Sequence, residues 1–153
     1  DDPVYAAKAA RISALTLDLS ELLPSLVPAL RTKVSPEGQP ALVFHPPCTL
    51  QHGQKLKGSV EQHLAALGFA VRIAANEAHL CCGSAGTYSV LNPEIAYQLR
   101  DRKLQNLDAT ATEVIISANI GCITHLQSGT TTPVKHWVEV LDGALGATSG
   151  TAG

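Results

Sequence analysis

Apolar positions along this chain alternate between helical spacing and short unbroken runs, and the two rhythms mark its elements. Asp2-Pro3 has the form of an N-cap followed by proline in the first turn of a helix. Ile12, Leu15, Leu19, Leu22 and Leu23 follow at helical spacing, and Pro24 and Pro28 are expected to break or restart that helix. "VSPEGQP" (residues 34–40) is a loop. "ALVFH" (residues 41–45), stopped by Pro46-Pro47, predicts a buried strand. Leu56, Val60, Leu64 and Leu67 predict one face of a helix closed by Gly68. "FAVRIA" (residues 69–74) predicts a second strand, and a Cys-Cys-Gly loop follows. Asn92-Pro93-Glu94 opens a helix with Ile95, Leu99, Leu104 and Leu107 facing inward. "EVIISAN" (residues 113–119) is a β-branched third strand, and a short helix runs from Gly121-Cys122 to about Gln127. "TTPVKH" (residues 131–136) predicts a fourth strand at an edge, because Pro133 cannot donate to a central ladder. "WVEVLDGAL" closes the pattern with a helix, and no internal repeat is visible.

Strands alternating with helices predict an α/β fold with right-handed crossovers. The expected architecture is three-layer: a mostly parallel, four-stranded Rossmann-like sheet with flanking helices and an N-terminal helical arm. The expected division is residues 1–38 as arm or linker, 39–145 as a cysteine-rich domain and 146–153 as a disordered tail. In such sheets, ligands bind beyond the carboxyl ends of the strands. Cys48 follows the first strand, Cys81 and Cys82 the second, and Cys122 the third. Element order alone therefore places all four thiols at one edge of the sheet.

Composition narrows the chemistry. The chain has 153 residues, a net charge of -2 and only 16% charged residues. Neither nucleic acid nor an anionic membrane is an expected partner at that charge, and a surface so poor in charge is expected to be partly covered by something else. No apolar run approaches the roughly 20 residues of a membrane span, and no secretory leader is recognisable. The absence of methionine and the opening "DDPVY" suggest a piece of a longer protein. Four cysteines are too few for a disulfide scaffold. A reducing, cytoplasmic compartment is expected, where clustered cysteines serve metal or redox chemistry.

The thiol pattern is C…CC…CxxH. Cys122 and His125 are spaced i, i+3 on a helix, so both can point at one target, and Cys122 lies near a helix N-terminus that favours thiolate. Gly83, Gly86 and Gly121 allow close backbone approach to a bound group. Cys48, Cys81, Cys82, Cys122 and His125 are the candidate metal ligands. They suit zinc or an iron–sulfur cluster. Adjacent cysteines do not easily take two vertices of one small tetrahedron, which favours a cluster with several metal atoms. A vicinal disulfide at Cys81-Cys82 ranks low because it is strained and leaves the other thiols idle. His79 reads as a loop residue, and His45 as a satisfied core histidine, with a ligand-orienting role as the alternative. His52, His63 and His136 suggest no chemistry. Arg100, Arg102 and Lys103 read as a solvated helix face. No GxGxxG, P-loop or Ser-His-Asp order is present, and no catalytic residue is expected.

The segments "FHPPCTLQHGQKL", "HLCCGSAGTYSVLNPEIAYQLRDRKL" and "ANIGCITHL" resemble the cysteine-rich CCG domain family of heterodisulfide reductases and their relatives. Within it the resemblance is greatest to the second such domain of glycolate oxidase (glycolate dehydrogenase) iron–sulfur subunits. It runs from about Ala41 to Asp142, and the opening helix resembles the segment joining two such domains. The resemblance implies an iron–sulfur cluster, of the non-cubane [4Fe-4S] kind, on the positions matching Cys48, Cys81, Cys82 and Cys122. It implies upstream ferredoxin-type motifs in the same subunit, and flavoprotein partner subunits that carry FAD and oxidise glycolate to glyoxylate. Membrane contact would be peripheral, through the complex, at the inner face of the cytoplasmic membrane. Lactate-oxidising relatives share much of the pattern. The family motif usually ends CxxC, whereas this chain has His125 in the last place. An imidazole there would raise a cluster's potential or suit zinc, and a zinc-binding or metal-free structural or interaction domain for subunit assembly is the alternative to electron transfer.

Overall fold

The computed structural model describes residues 2–35, 37–108 and 110–146; the expected tail falls outside them from residue 147. Four strands, β1 (Leu42–His45), β2 (Val71–Ile73), β3 (Val114–Ser117) and β4 (Val134–His136), form one sheet in the order β2-β1-β3-β4. Every pairing is parallel, with Leu42 opposite both Val71 and Val114, and Ile115 opposite Val134. The central strands β1 and β3 are buried along their whole length, as expected for parallel strands covered on both faces. β2 and β4 are the edges.

Seven helices are described: α1 (Pro3–Leu15), α2 (Leu19–Leu30), α3 (Ser59–Ala66), α4 (Tyr88–Leu91), α5 (Pro93–Asp108), α6 (Ile120–Gln127) and α7 (Trp137–Gly146). Strand alternation sorts them into two layers. Leu42, Phe44, Val114 and Ile116 point to one face, where they meet Leu23 and Val27 of α2, Val60 and Leu64 of α3 and Trp137 and Leu141 of α7. Val43 and Ile115 point to the other, against Leu104 and Leu107 of α5 and Leu126 of α6. Cys82 and Cys122 belong to that second core.

The N-terminal helices differ from the expected break at the prolines. The chain turns at Thr16–Asp18 instead, where Asp18 and Glu21 form a reciprocal capping box that opens α2. Pro24 and Pro28 lie inside α2. Pro24 has no N–H to give the carbonyl of Ser20, and that carbonyl accepts from the Ser59 hydroxyl of α3 instead (3.2 Å). The lost helical bond thus becomes a bond between helices. Of the expected inner residues here only Leu23 is buried; Ile12, Leu15, Leu19 and Leu22 are exposed.

Along α5, Ile95 is exposed and the inward row is Ala96, Lys103, Leu104 and Leu107. Lys103, expected on a solvated face, is 1% exposed. It stands seven residues after Ala96 and four before Leu107, which is the buried side of the helix.

Candidate metal centre

The carboxyl ends of β1, β2 and β3 lead to the four cysteines. β1 stops where Pro46 and Pro47 can donate nothing to the ladder. The chain then folds into one π-helical turn, Thr49–Gly53, capped by Cys48. Gln51 secures the turn by donating from Nε2 to the carbonyl of Pro46 (2.8 Å). β3 leads to Asn119, whose side chain accepts from the N–H groups of Gly121 (2.9 Å) and Cys122 (3.2 Å) and so starts α6.

The vicinal pair is carried by a loop that α5 grips from one side. Lys103 donates from Nζ to the carbonyls of Glu77 (2.8 Å) and Ala78 (3.2 Å). Arg102 pairs with the Glu77 carboxylate, which also accepts from Asn106 Nδ2 (3.0 Å). Gly83, directly after the pair, has φ +91° and lies against α5. A Cβ on it would collide with the carbonyl oxygen of Ala96. Its close approach is thus to a helix backbone, while Gly86 and Gly121 line the thiol cavity.

All four cysteines are free thiols lining one cavity of about 540 Å³, together with Pro47, Ser84, Asn119 and the two glycines. The adjacent pair divides its attention. Cys81 is the thiol that acts on Cys48, and the sulfurs of Cys82 and Cys122 lie within 4.8 Å of one another. Cys82 and Cys122 are buried; Cys48 and Cys81 are half-buried.

Protonation follows from those contacts. The Cys122 thiol donates to Cys82 and holds it well below the ordinary thiol range, helped by the nearby His45 ring and the Ser84 N–H. The same bond, together with burial, pushes Cys122 upward. Burial, then the neighbouring Cys81, raises Cys48 to about 11. Burial lowers Lys103, and the negative charge of Cys82, Glu77, Cys48 and Cys81 opposes that lowering. A sealed ammonium within electrostatic reach of three thiols is a built-in counter-charge for thiolate chemistry.

His125 is not brought to the thiols. Its Nε2 lies 3.1 Å from the Ala96 carbonyl oxygen, and its ring stacks on Tyr97 (centroids 6.0 Å apart, 14° between planes). Arg100 covers the other end of that stack, 4.6 Å from the Tyr97 centroid. His125 lines a neighbouring cavity of about 580 Å³ that shares only Ser84 and Gly121 with the thiol cavity. An i, i+3 pair on a helix is offset by about 60°. Here that offset turns Cys122 toward the sheet and His125 toward α5. His79 is exposed.

His45 departs from its expected state. It is 1% exposed, yet among the described residues neither ring nitrogen has a hydrogen-bond partner of ordinary geometry. One ring nitrogen and the sulfurs of Cys82 and Cys122 all lie within 4.8 Å of one another. Its position at the end of a strand pointing to the second core could have shown this, because odd-numbered residues of β1 share that face with the thiols. Lys103 could likewise have been found from the spacing of the α5 inner row.

The profile of the cysteine-rich CCG domain matches residues 42–127, a span that holds all four cysteines. The chain is 48% identical over 145 residues to the glycolate oxidase iron-sulfur subunit of Escherichia coli (strain K12), across 95% of this chain and 35% of that protein. It is 29% identical over 152 residues to lactate utilization protein A of Halalkalibacterium halodurans, across 93% of this chain and 59% of that protein. Escherichia coli YkgE, an uncharacterized protein, is 27% identical over 146 residues, across 92% of this chain and 60% of its own length. The chain thus spans between about a third and three-fifths of the curated relatives it matches.

Proposed function

The chain belongs to the cysteine-rich CCG domain family, and on that premise we propose that it is the C-terminal electron-transfer domain of a glycolate oxidase-type iron–sulfur subunit. Cys48, Cys81, Cys82 and Cys122 are the proposed ligands of an iron–sulfur cluster. The observation that carries this reading is the convergence of all four free thiols on one cavity at the strand ends. Likeness to the glycolate oxidase iron-sulfur subunit supports it. A vicinal pair whose members face different partners suits a centre with several metal atoms, so a non-cubane [4Fe-4S] type is proposed. When bound, such a cluster supplies one-electron storage and transfer.

The protein's own groups do the rest. The strand ends and the α5 grip on residues 77–78 hold the thiols in place before metal arrives. Burial of Cys82 and Cys122 keeps water from the inner end of the site. Lys103 offsets negative charge on the thiolates. The proposed partners are the flavoprotein subunits that oxidise glycolate to glyoxylate, and an upstream ferredoxin-like part of the same subunit. The proposed location is the cytoplasm, with any contact with the membrane's inner face made through the complex. A zinc-binding domain serving subunit assembly is the second reading, favoured by the depth of Cys82 and Cys122.

Anaerobic purification of the 153-residue chain, with iron, sulfide and zinc measured beside the visible spectrum, separates the two. About four irons and four sulfides per chain, with charge-transfer absorption, is the expected result. Stoichiometric zinc without sulfide would replace the first reading by the second.

A further inference from the structure

The roles assigned so far leave His45 without a task. The ring is sealed from water, and among the described residues neither nitrogen makes a hydrogen bond of ordinary geometry, which is unusual for a buried polar group; its polar neighbour is the Cys82 sulfur. The groups beside it are committed elsewhere. Pro46 has no N–H to offer, and Ser117, opposite in the sheet, gives its hydroxyl to the His45 carbonyl (2.9 Å) rather than to the ring. The ring meets Cys82 and Cys122 instead, with all three donor atoms within 4.8 Å of one another. Two sulfurs and an imidazole nitrogen form a ligand set for a borderline-soft transition metal.

We infer that His45 supplies the nitrogen donor of this metal centre, coordinating the same metal as Cys82 and Cys122. It takes the place that the CxxH spacing offers to His125. His125 lies toward α5, with Nε2 at the Ala96 carbonyl and its ring on Tyr97. The inference rests on the metal-centre reading above and deepens it. The buried end of the site carries two sulfurs and one nitrogen, and Cys48 and Cys81 form a separate, half-buried thiol pair.

The first test needs no variant. The chain is labelled with ¹⁵N-histidine, reduced, stripped of metal and titrated with zinc without oxygen, and the ring nitrogens are followed by long-range ¹H–¹⁵N correlation. One nitrogen of His45 should shift at stoichiometric zinc while those of His125 stay in place. A shift at His125, zinc uptake with neither ring responding, or no zinc uptake would overturn the inference. The second test uses cobalt(II) as an optical probe. His45→Ala should weaken cobalt binding roughly 100-fold or more, since even outer-shell changes at metal sites cost 10–100-fold. His45→Cys should recover binding, and His125→Ala should bind like the native chain; the reverse pattern would sink the proposal. Iron and sulfide assays on the same preparations separate this inference from the reading beneath it. Zinc and cobalt held through His45 by a chain that never retains iron or sulfide would support the inference and end the iron–sulfur reading. Iron and sulfide retained by His45→Ala with an unchanged spectrum would do the opposite.

Discussion

Lys103 carries two jobs in one side chain. Its ammonium ties down the carbonyls of Glu77 and Ala78, and its charge reaches Cys82, Cys48 and Cys81. Lys103→Met keeps the apolar stem and removes both. In the metal-free chain it should cost roughly 1–3 kcal/mol in urea unfolding, because two carbonyls lose their donor. In the cluster-loaded chain the reduction potential should fall, since a removed cation no longer stabilises the more negative, reduced state. An unchanged potential would show that the charge is not felt at the site. Residues of this kind separate what is legible in the sequence from what is not. The cysteines can be placed from strand order alone, because each follows a strand end. Lys103 and His45 cannot be placed by residue type, because buried lysines are rare and core histidines are usually satisfied. Their roles come from the face each presents, which element prediction resolves only when the inward row is right. Leu104 and Leu107 are correctly placed by their spacing, but Ile95 stands where Ala96 is the buried residue, and the basic run Arg100, Arg102 and Lys103 reads as solvated although Lys103 lies seven residues after Ala96 on the inner row.

At the scale of elements, the two N-terminal helices follow one another directly and differ in packing. α1 has no buried residue. α2 sets Leu23 and Val27 into the core and receives the Ser59 hydroxyl on its Ser20 carbonyl. Removing residues 1–15 should leave the urea midpoint of the chain unchanged. Leu23→Ala should lower stability by roughly 2–5 kcal/mol, the usual cost of truncating a fully buried leucine. A large loss from the truncation would mean that α1 packs on the domain. The break between them is readable as the Asp18/Glu21 capping pattern, which outweighs the prolines because Pro24 surrenders a carbonyl that α3 can use. The π-helical turn at Thr49–Gly53 and the short α4 are not readable. Neither has a periodic apolar face, and both depend on contacts made by distant parts of the chain.

For the whole molecule, the parallel sheet and its two layers can be foreseen, because the alternation of strand and helix leaves few arrangements. The proposed role is to pass electrons, and the isolated chain should act accordingly. It should give no glycolate-dependent reduction of a dye. The loaded chain, once reduced by dithionite, should reduce that dye without glycolate. Glycolate-dependent turnover by the 153-residue chain would mean that it carries substrate chemistry of its own, beyond electron transfer. Gly83 has a different kind of consequence. Its neighbours Cys81 and Cys82 are held by chemistry, but Gly83 is held by the Ala96 carbonyl, which leaves no room for a Cβ. Over long descent the two constraints can part company. A duplicated copy that gave up its metal could exchange both thiols for ordinary core residues, yet any side chain at Gly83 would collide with the Ala96 carbonyl of α5. In such a relic the glycine would outlast the cysteines, marking where a metal centre had once been.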